Sequence, residues 1–367
     1  MNLENLYYRI VAEDRKFYHA PLFLCLRVIS IFYGWAQTLR QWCYQIGIFP
    51  ARRLDCRVIS IGNLVMGGTG KTPMTMWIAE TLRDHGHNPA IISRGYGGLV
   101  TDGIHVVCDG QYILLSPEIA GDEPYMMAER LKNVPVLTSR DRYAAGRYAI
   151  DHFGADVLIL DDGFQHLALH RDLNILLCDQ QKPFGNKLVF PAGHLREPVP
   201  AADRADVICF TRCSENGRGE HHSLKLFQKR GDGRKKSILR TAPRVDCLIR
   251  MDNHEILTCD FMRNRPVAAF CGIAHPDGFR EFLKDARIVL FQPFPDHYSY
   301  TSNDLQLMDD AAKKAGAEFI LTTEKDAVKI ANHHFTLPVL KVRLALEILE
   351  GKDTLNKLLE CGDVGEA

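Results

Sequence analysis

Residues 59–73 read ISIGNLVMGGTGKTP, and this stretch decides the fold. Val58, Ile59 and Ile61 have the character of a buried strand end, and from Met74 the apolar spacing turns helical. Between them lies Gly67-Gly68-Thr69-Gly70-Lys71-Thr72. Glycines let the backbone curl until successive N–H groups converge on one anion. The following helix turns its positive end to the same anion. Val65 to Gly70 thus form a cradle, Lys71 reaches the outer phosphates of a nucleotide, and the Thr72 hydroxyl takes its magnesium. The usual pattern, G-x-x-x-x-G-K-[ST], is broken at one place, since Val65 stands where the first glycine should be. A strand before and a helix after separate this loop from an ordinary glycine-rich turn.

Around this loop the chain reads as an α/β protein. Short apolar runs at 89–93, 134–138, 157–160, 173–178 and 207–210 alternate with helical spacings at 74–85, 121–132 and 140–153. Such alternation predicts a mostly parallel sheet with helices on both faces, and with the glycine loop it is the architecture of phosphate-loop nucleoside triphosphatases. A hairpin is expected at 104–115, split by Asp109-Gly110. A second, smaller α/β segment begins near Pro266. The expected organisation is an N-terminal helix over 1–50, a nucleotide-binding core over 51–245 and a C-terminal α/β lobe over 246–367. Ligands of such sheets bind at the carboxyl ends of strands. The loop, Arg94, Asp122 and Asp162 all fall at or after such ends, so one shared crevice is expected.

Residues 21–46 are the one stretch with membrane character. Leu22, Leu26, Ile29, Tyr33, Ala36, Leu39, Cys43 and Ile46 recur at helical spacing, opposite a polar stripe of Arg27, Ser30, Gly34, Gln37, Gln41 and Gln45. Trp35, Trp42 and Tyr44 suit a lipid–water interface, and Arg40, Arg52, Arg53 and Arg57 suit anionic headgroups. Three readings fit: a helix lying in the membrane surface, which the composition favours, a short span, or a helix packed on the protein's own core.

The 367 residues carry a formal net charge of zero, so the whole molecule is no trap for nucleic acid. No RNA- or DNA-binding module signature appears. The eleven cysteines include no C-x-x-C pair, and no signal peptide precedes them. Reduced thiols in a cytosolic compartment are expected. Residues 214–236 are polar and basic, which suits a solvated loop or a contact with acidic headgroups.

The remaining polar motifs carry the chemistry. Val157 to Asp162 has the form of an apolar strand that delivers a carboxylate to a magnesium site. Gly163-Phe164-Gln165-His166 adds polar groups at the same edge. Asp122 and Glu123 open a helix, where acidic residues commonly cap free N–H groups. Phosphoryl transfer to an alcohol also needs a base near the hydroxyl, and Asp122 is the candidate, with Glu123 on the metal side. His297 sits in a polar loop. It is either solvated or, reaching Asp122, half of a dyad. Arg94 and Arg196 follow glycine- or proline-rich loops and serve equally as phosphate clamps or surface ion-pair partners.

Taken in order, GNLVMGGTGKTP, SRGYGG, GDEP, LDDGFQH, FPAGHLREP and FPDHY resemble the tetraacyldisaccharide 4′-kinases, the lipid A 4′-kinases of Gram-negative bacteria. That family shares the displaced glycine. The resemblance implies ATP and Mg²⁺ as cofactors, and transfer of the γ-phosphate to the 4′-hydroxyl of a tetraacylated disaccharide 1-phosphate to give lipid IVA. It implies Lys71 and Thr72 at the phosphates and metal, with Asp122 as base partnered by His297. Glu123 and Asp162 would lie near the metal, with Asp161 in the catalytic set. Gln165, His166, Arg94 and Arg196 would face the substrate, and Tyr96 the nucleotide cleft. The partners implied are the acylated lipid and the cytoplasmic face of the inner membrane, with no nucleic acid and no obligatory protein partner. The lobe bearing His297 would close over the loop. The rival reading is a membrane-peripheral ATPase that switches conformation without phosphorylating an acceptor.

Overall fold

The computed structural model describes residues 7, 10–11, 20–95, 98–99, 102–214, 236–296, 298–331 and 333–360. Tyr96, His297 and nearly all of the basic segment 214–236 lie outside the described residues. In chain order the elements are α1 (Ala20–Gln45), β1 (Arg57–Asn63), α2 (Lys71–Asp84), β2 (Pro89–Ser93), β3 (His105–Cys108), α3 (Pro117–Ala120), α4 (Asp122–Arg130), β4 (Val136–Thr138) and α5 (Arg142–Phe153). Then come β5 (Val157–Leu160), β6 (Leu173–Asp179), β7 (Val207–Thr211), β8 (Ser237–Arg250), β9 (Ile256–Leu257) and β10 (Pro266–Cys271). The chain ends with α6 (Pro276–Phe282), β11 (Arg287–Pro293), α7 (Ser302–Lys314), β12 (Phe319–Thr323), α8 (Glu324–Ile330), β13 (Val339–Glu350) and α9 (Lys352–Glu360). These fall into two compact units of interleaved segments. One comprises Met1–Lys71, Asp156–Ala242 and Ile348–Ala367, the other Thr72–Ala155 and Pro243–Glu347.

In the first unit β1 lies between β5 and β6, with β7 beside β6 and the start of β8 beside β7, every pairing parallel. From Val58 to Asn63 every residue of β1 is buried. Strands buried on both faces need continuous apolar sequence, and this is why VLIL and LNILLC read as unbroken runs. The connection from β5 to β6 passes along the protein beside β1. Gly62 permits this, because a Cβ there would lie 2.6 Å from Cβ of Phe164. Phe164 packs with Leu64, Leu176, Phe184, Leu195, Ile208 and Phe210 in the core beneath the loop.

α1 also belongs to this unit, and polar residues of its middle turns pack on protein beside Phe23, Leu26 and Tyr33. The middle of the polar stripe meets protein, while Arg27 and Gln45 at its ends are exposed: Ser30 donates to the Val189 carbonyl at 2.7 Å, and Arg40, expected at headgroups, donates to the Gln165 carbonyl at 3.1 Å. Gly34 is buried, and the Gln41 side-chain oxygen accepts from Arg204 at 2.8 Å. Leu24, Phe32, Trp35, Leu39 and Trp42 face outward, Trp35 with 69% of its surface exposed. The helix is long and apolar enough, by length and composition, to cross a membrane.

In the second unit β10 pairs in parallel with β11 and β12, and β12 with β13. β2 and β4 form a parallel pair, and β3 joins β4 antiparallel. The expected hairpin appears as β3 and a single bridge from Cys108 to Ile113. In its C-terminal part, apolar residues pack around Phe319, Leu321 and Phe279 and around Phe270, Ile320 and Met308. Helix starts are chemically fixed. Asp141 accepts from the Ala144 N–H at the start of α5, and Thr301 and Asp304 form a reciprocal capping box on α7.

Candidate active site

The phosphate loop leaves β1 at Asn63 and is held open by its neighbours. Asn63 donates to the Thr69 hydroxyl at 2.7 Å and to the Gly67 carbonyl at 3.3 Å. Gly67 and Gly70 take φ values of 115° and 83°, a region that residues with a Cβ rarely adopt. The missing first glycine is explained by Val65, which bridges to Leu195, while the Met66 N–H donates to the His194 carbonyl at 2.8 Å. That position is a two-stranded contact with the FPAGHLREP segment and does not need a left-handed residue. Lys71 ends this unit's share of the loop, and Thr72 lies buried in the first turn of α2.

Lys71 Nζ stands 3.8 Å from Asp162 Oδ1. Arg196 Nη1 donates to both oxygens of the same carboxylate, at 2.9 and 2.7 Å. Asp162 therefore sits between two cations, with a left-handed φ of 52°. Asp161 beside it is buried. Gln165 donates to the Asn63 carbonyl at 2.9 Å, and its own Oε1 is buried without a partner. His166 closes a turn onto the Gly163 carbonyl. These predicted residues are thus brought together at the carboxyl end of β1. Two more residues join them. Arg212, just past β7 with φ of 56°, donates to the Gly68 carbonyl and pairs with Asp179. Glu197 is buried and receives Arg204 at 2.6 Å. The signal for Arg212 was its place just beyond the end of an apolar strand. For Glu197 it was its adjacency to Arg196.

In the second unit Asp122 and Glu123 form the first turn of α4. Lys329 Nζ lies 3.1 Å from Asp122, and Lys325 Nζ lies 3.7 Å from Glu123 and 3.4 Å from Asp296. Both lysines project from one face of α8, four residues apart. The start of α8 is locked by buried Asp326, which accepts from the Gly272 N–H, the Tyr300 hydroxyl and the Thr323 hydroxyl at 2.9, 3.0 and 2.7 Å. Burial and this carboxylate push the Tyr300 hydroxyl far above its ordinary pKa. The far end of α4 is fastened by Arg130 on the Leu344 carbonyl at 2.7 Å and by Glu129 on Lys341 at 2.8 Å. Arg94 follows β2 and is exposed. Neither lysine was singled out from sequence.

The donor set suits a nucleotide-borne Mg²⁺. Such an ion takes one or two carboxylates and a hydroxyl, with phosphates and waters completing its shell. Among the described residues no three His, Cys, Asp or Glu side chains gather into a site that would hold a metal alone. Asp162, just after β5 in the first unit, is a carboxylate of that kind, and Thr72, in the first turn of α2 in the second, is such a hydroxyl.

The sequence profile described as tetraacyldisaccharide-1-P 4′-kinase matches residues 22–361. The chain belongs to the tetraacyldisaccharide 4′-kinase family. It is 41% identical over 350 residues to the tetraacyldisaccharide 4′-kinase of Syntrophus aciditrophicus, covering 93% of each chain. It is 41% identical over 341 residues to that of Desulfotalea psychrophila, covering 92% of this chain and 96% of the relative. A crystal structure of Aquifex aeolicus LpxK in complex with ATP superposes with a TM-score of 0.74 at 33% identity, over 92% of this chain and 98% of that one. The kinase family and the mostly parallel α/β fold expected from sequence are therefore both established.

Proposed function

We propose that this family member transfers the γ-phosphate of ATP to the 4′-hydroxyl of a tetraacylated disaccharide 1-phosphate, giving lipid IVA. The observation that carries this reading is the glycine loop held open by Asn63, with Lys71 resting on Asp162. A phosphate entering the loop meets converging N–H groups and an ammonium that stands 3.8 Å from the Asp162 carboxylate. Thr72, Glu123 and Asp162 are the residues assigned to Mg²⁺, which supplies charge neutralisation at the β- and γ-phosphates. Asp122 takes the proton from the acceptor hydroxyl, with Asp161 in the catalytic set and His297 assigned as partner of the base. Gln165, His166, Arg94 and Arg196 are assigned to the substrate, and Tyr96 to the nucleotide.

The acceptor is held in a bilayer by its acyl chains, so the enzyme must come to it. α1 fits a helix lying in the surface of the membrane rather than through it. Protein covers one side of it at Phe23, Ser30 and Gly34, while its aromatic and aliphatic side chains face outward. We place it on the cytoplasmic face of the inner membrane.

The reading is tested with γ-labelled ATP, Mg²⁺ and the detergent-dispersed disaccharide monophosphate. Label is expected in the lipid with wild type, and is expected to be absent with Lys71→Ala. Label released only as inorganic phosphate, at a rate indifferent to the lipid, would point to the conformational ATPase instead.

A further inference from the structure

The first unit carries a second concave site, at the opposite end of its strands from the phosphate loop. A cleft of about 460 Å³ opens where β6 and β7 begin. Gln41, Tyr44 and Gln45, in the last turns of α1, form one wall. His170, Arg171 and Arg204, from the segments entering β6 and β7, form the other. Two guanidiniums thus line a cleft whose single lining carboxylate is Asp203. Arg204 is engaged by Glu197 and Gln41 at 2.6 and 2.8 Å, yet its Nε has no acceptor.

Arg171 is less well served. It donates to the His166 carbonyl at 2.8 Å, and its buried Nε has no acceptor. Burial, and after it the like charge of Arg204, draw its guanidinium down to about 10. The carboxylates of Glu197 and Asp206 act in the opposite direction, and an anion in the cleft would further offset the repulsion between the two guanidiniums. Asn174, only 8% exposed on the cleft lining, leaves its Oδ1 without a donor, so a ligand with a hydroxyl as well as a negative charge suits the site. The same turns of α1 expose Leu39 and Trp42, which sets the cleft at headgroup depth when the helix lies in a bilayer.

We propose that this cleft binds the phosphodiester headgroup of an anionic, hydroxyl-bearing membrane lipid, with Arg171 as its cationic contact and Asn174 accepting from the headgroup hydroxyl. The site is separate from phosphoryl transfer and rests only on α1 lying in the membrane surface. It fixes the end of α1 against anionic bilayer and so sets how the enzyme sits on the membrane.

The test uses the full-length protein in neutral detergent, with phosphatidylglycerol, phosphatidylcholine or inorganic phosphate added, and native mass spectrometry to count retained lipid. Flotation on pure phosphatidylcholine vesicles reads the helix separately. Two variants are compared: Arg171→Gln, and Gln45→Trp, which fills the mouth without removing a buried charge. Wild type is expected to retain one phosphatidylglycerol about tenfold better than phosphatidylcholine, and both variants to lose that preference. ATP affinity and flotation on phosphatidylcholine should stay as in wild type. Equal retention of the two lipids by wild type would overturn the proposal. So would unchanged retention of phosphatidylglycerol by Gln45→Trp. Thermal stabilisation by inorganic phosphate without lipid retention would overturn the lipid assignment. Wild type failing to float at all would instead remove the membrane reading of α1, and the proposal with it.

Discussion

The ammonium of Lys329 lies 3.1 Å from the carboxylate of Asp122, and it also donates to the Tyr298 carbonyl at 3.1 Å. A residue assigned as general base is thus held by a cation on a helix whose start is locked through Asp326. Removing that cation takes away one of the contacts that hold the Asp122 side chain. Lys329→Met should lower kcat by about tenfold through lost positioning while leaving ATP affinity unchanged. Steady-state kinetics beside ATP titration checks this, and Lys329→Arg should restore part of the rate.

Gly70 has φ of 83° immediately before Lys71. A Cβ there meets nothing closer than 3.8 Å, so the penalty is conformational rather than steric with neighbours. Gly70→Ala should cost about 1–3 kcal/mol of loop strain, read as a weakening of ATP binding by about 5- to 150-fold, at about 1.4 kcal/mol per decade. Calorimetric titration with a non-hydrolysable nucleotide measures it.

Phe32 and Trp35 are 63% and 69% exposed and their rings meet edge to face at 6.1 Å. Both stand largely in the open, so their replacement by serine should leave the melting temperature nearly unchanged. The double variant should detach from vesicles and raise KM for lipid substrate, while ATP affinity holds. Equal loss of both affinities would count against α1 as the membrane contact.

Asp309 is buried and accepts from the Thr336 N–H and hydroxyl at 3.0 and 2.7 Å, with Lys313 at 3.2 Å. Burial works to raise its pKa, but these donors outweigh it and hold the carboxyl below its ordinary value. A carboxyl depressed in the folded state stabilises above its unfolded pKa, about 4, and that contribution is lost as pH falls through the folded value. Asp309→Asn should therefore lower the melting temperature at pH 7, and the difference from wild type should shrink toward pH 3. Scanning calorimetry across that range gives the answer.

Much of this was legible in the chain. The loop, the β5 carboxylates and the order of strands to β7 follow from apolar runs and glycine placement, because buried parallel strands must be continuously hydrophobic. The orientation of α1 was not legible. Both stripes were visible, but only packing decides that Ser30 and Gly34 meet protein while Trp35 does not. β13, VLKVRLALEILE, was missed because leucine, alanine, lysine and glutamate also favour helix, and pairing with β12 overrides that preference. The two interleaved units share a boundary at Lys71 and Thr72, inside the loop–helix junction, where no change of composition marks it. Lys325 and Lys329 became candidates only when α8 and α4 were seen to meet.

In the proposed mechanism Asp122 serves as the base for transfer to a lipid alcohol while the glycine loop holds ATP. The most direct measurement is single-turnover transfer of labelled phosphate from ATP to the disaccharide lipid by Asp122→Asn, with ATP affinity determined on the same preparation. Transfer should fall by about 10²–10⁴-fold with ATP affinity unchanged. Transfer at the wild-type rate by Asp122→Asn would contradict the account.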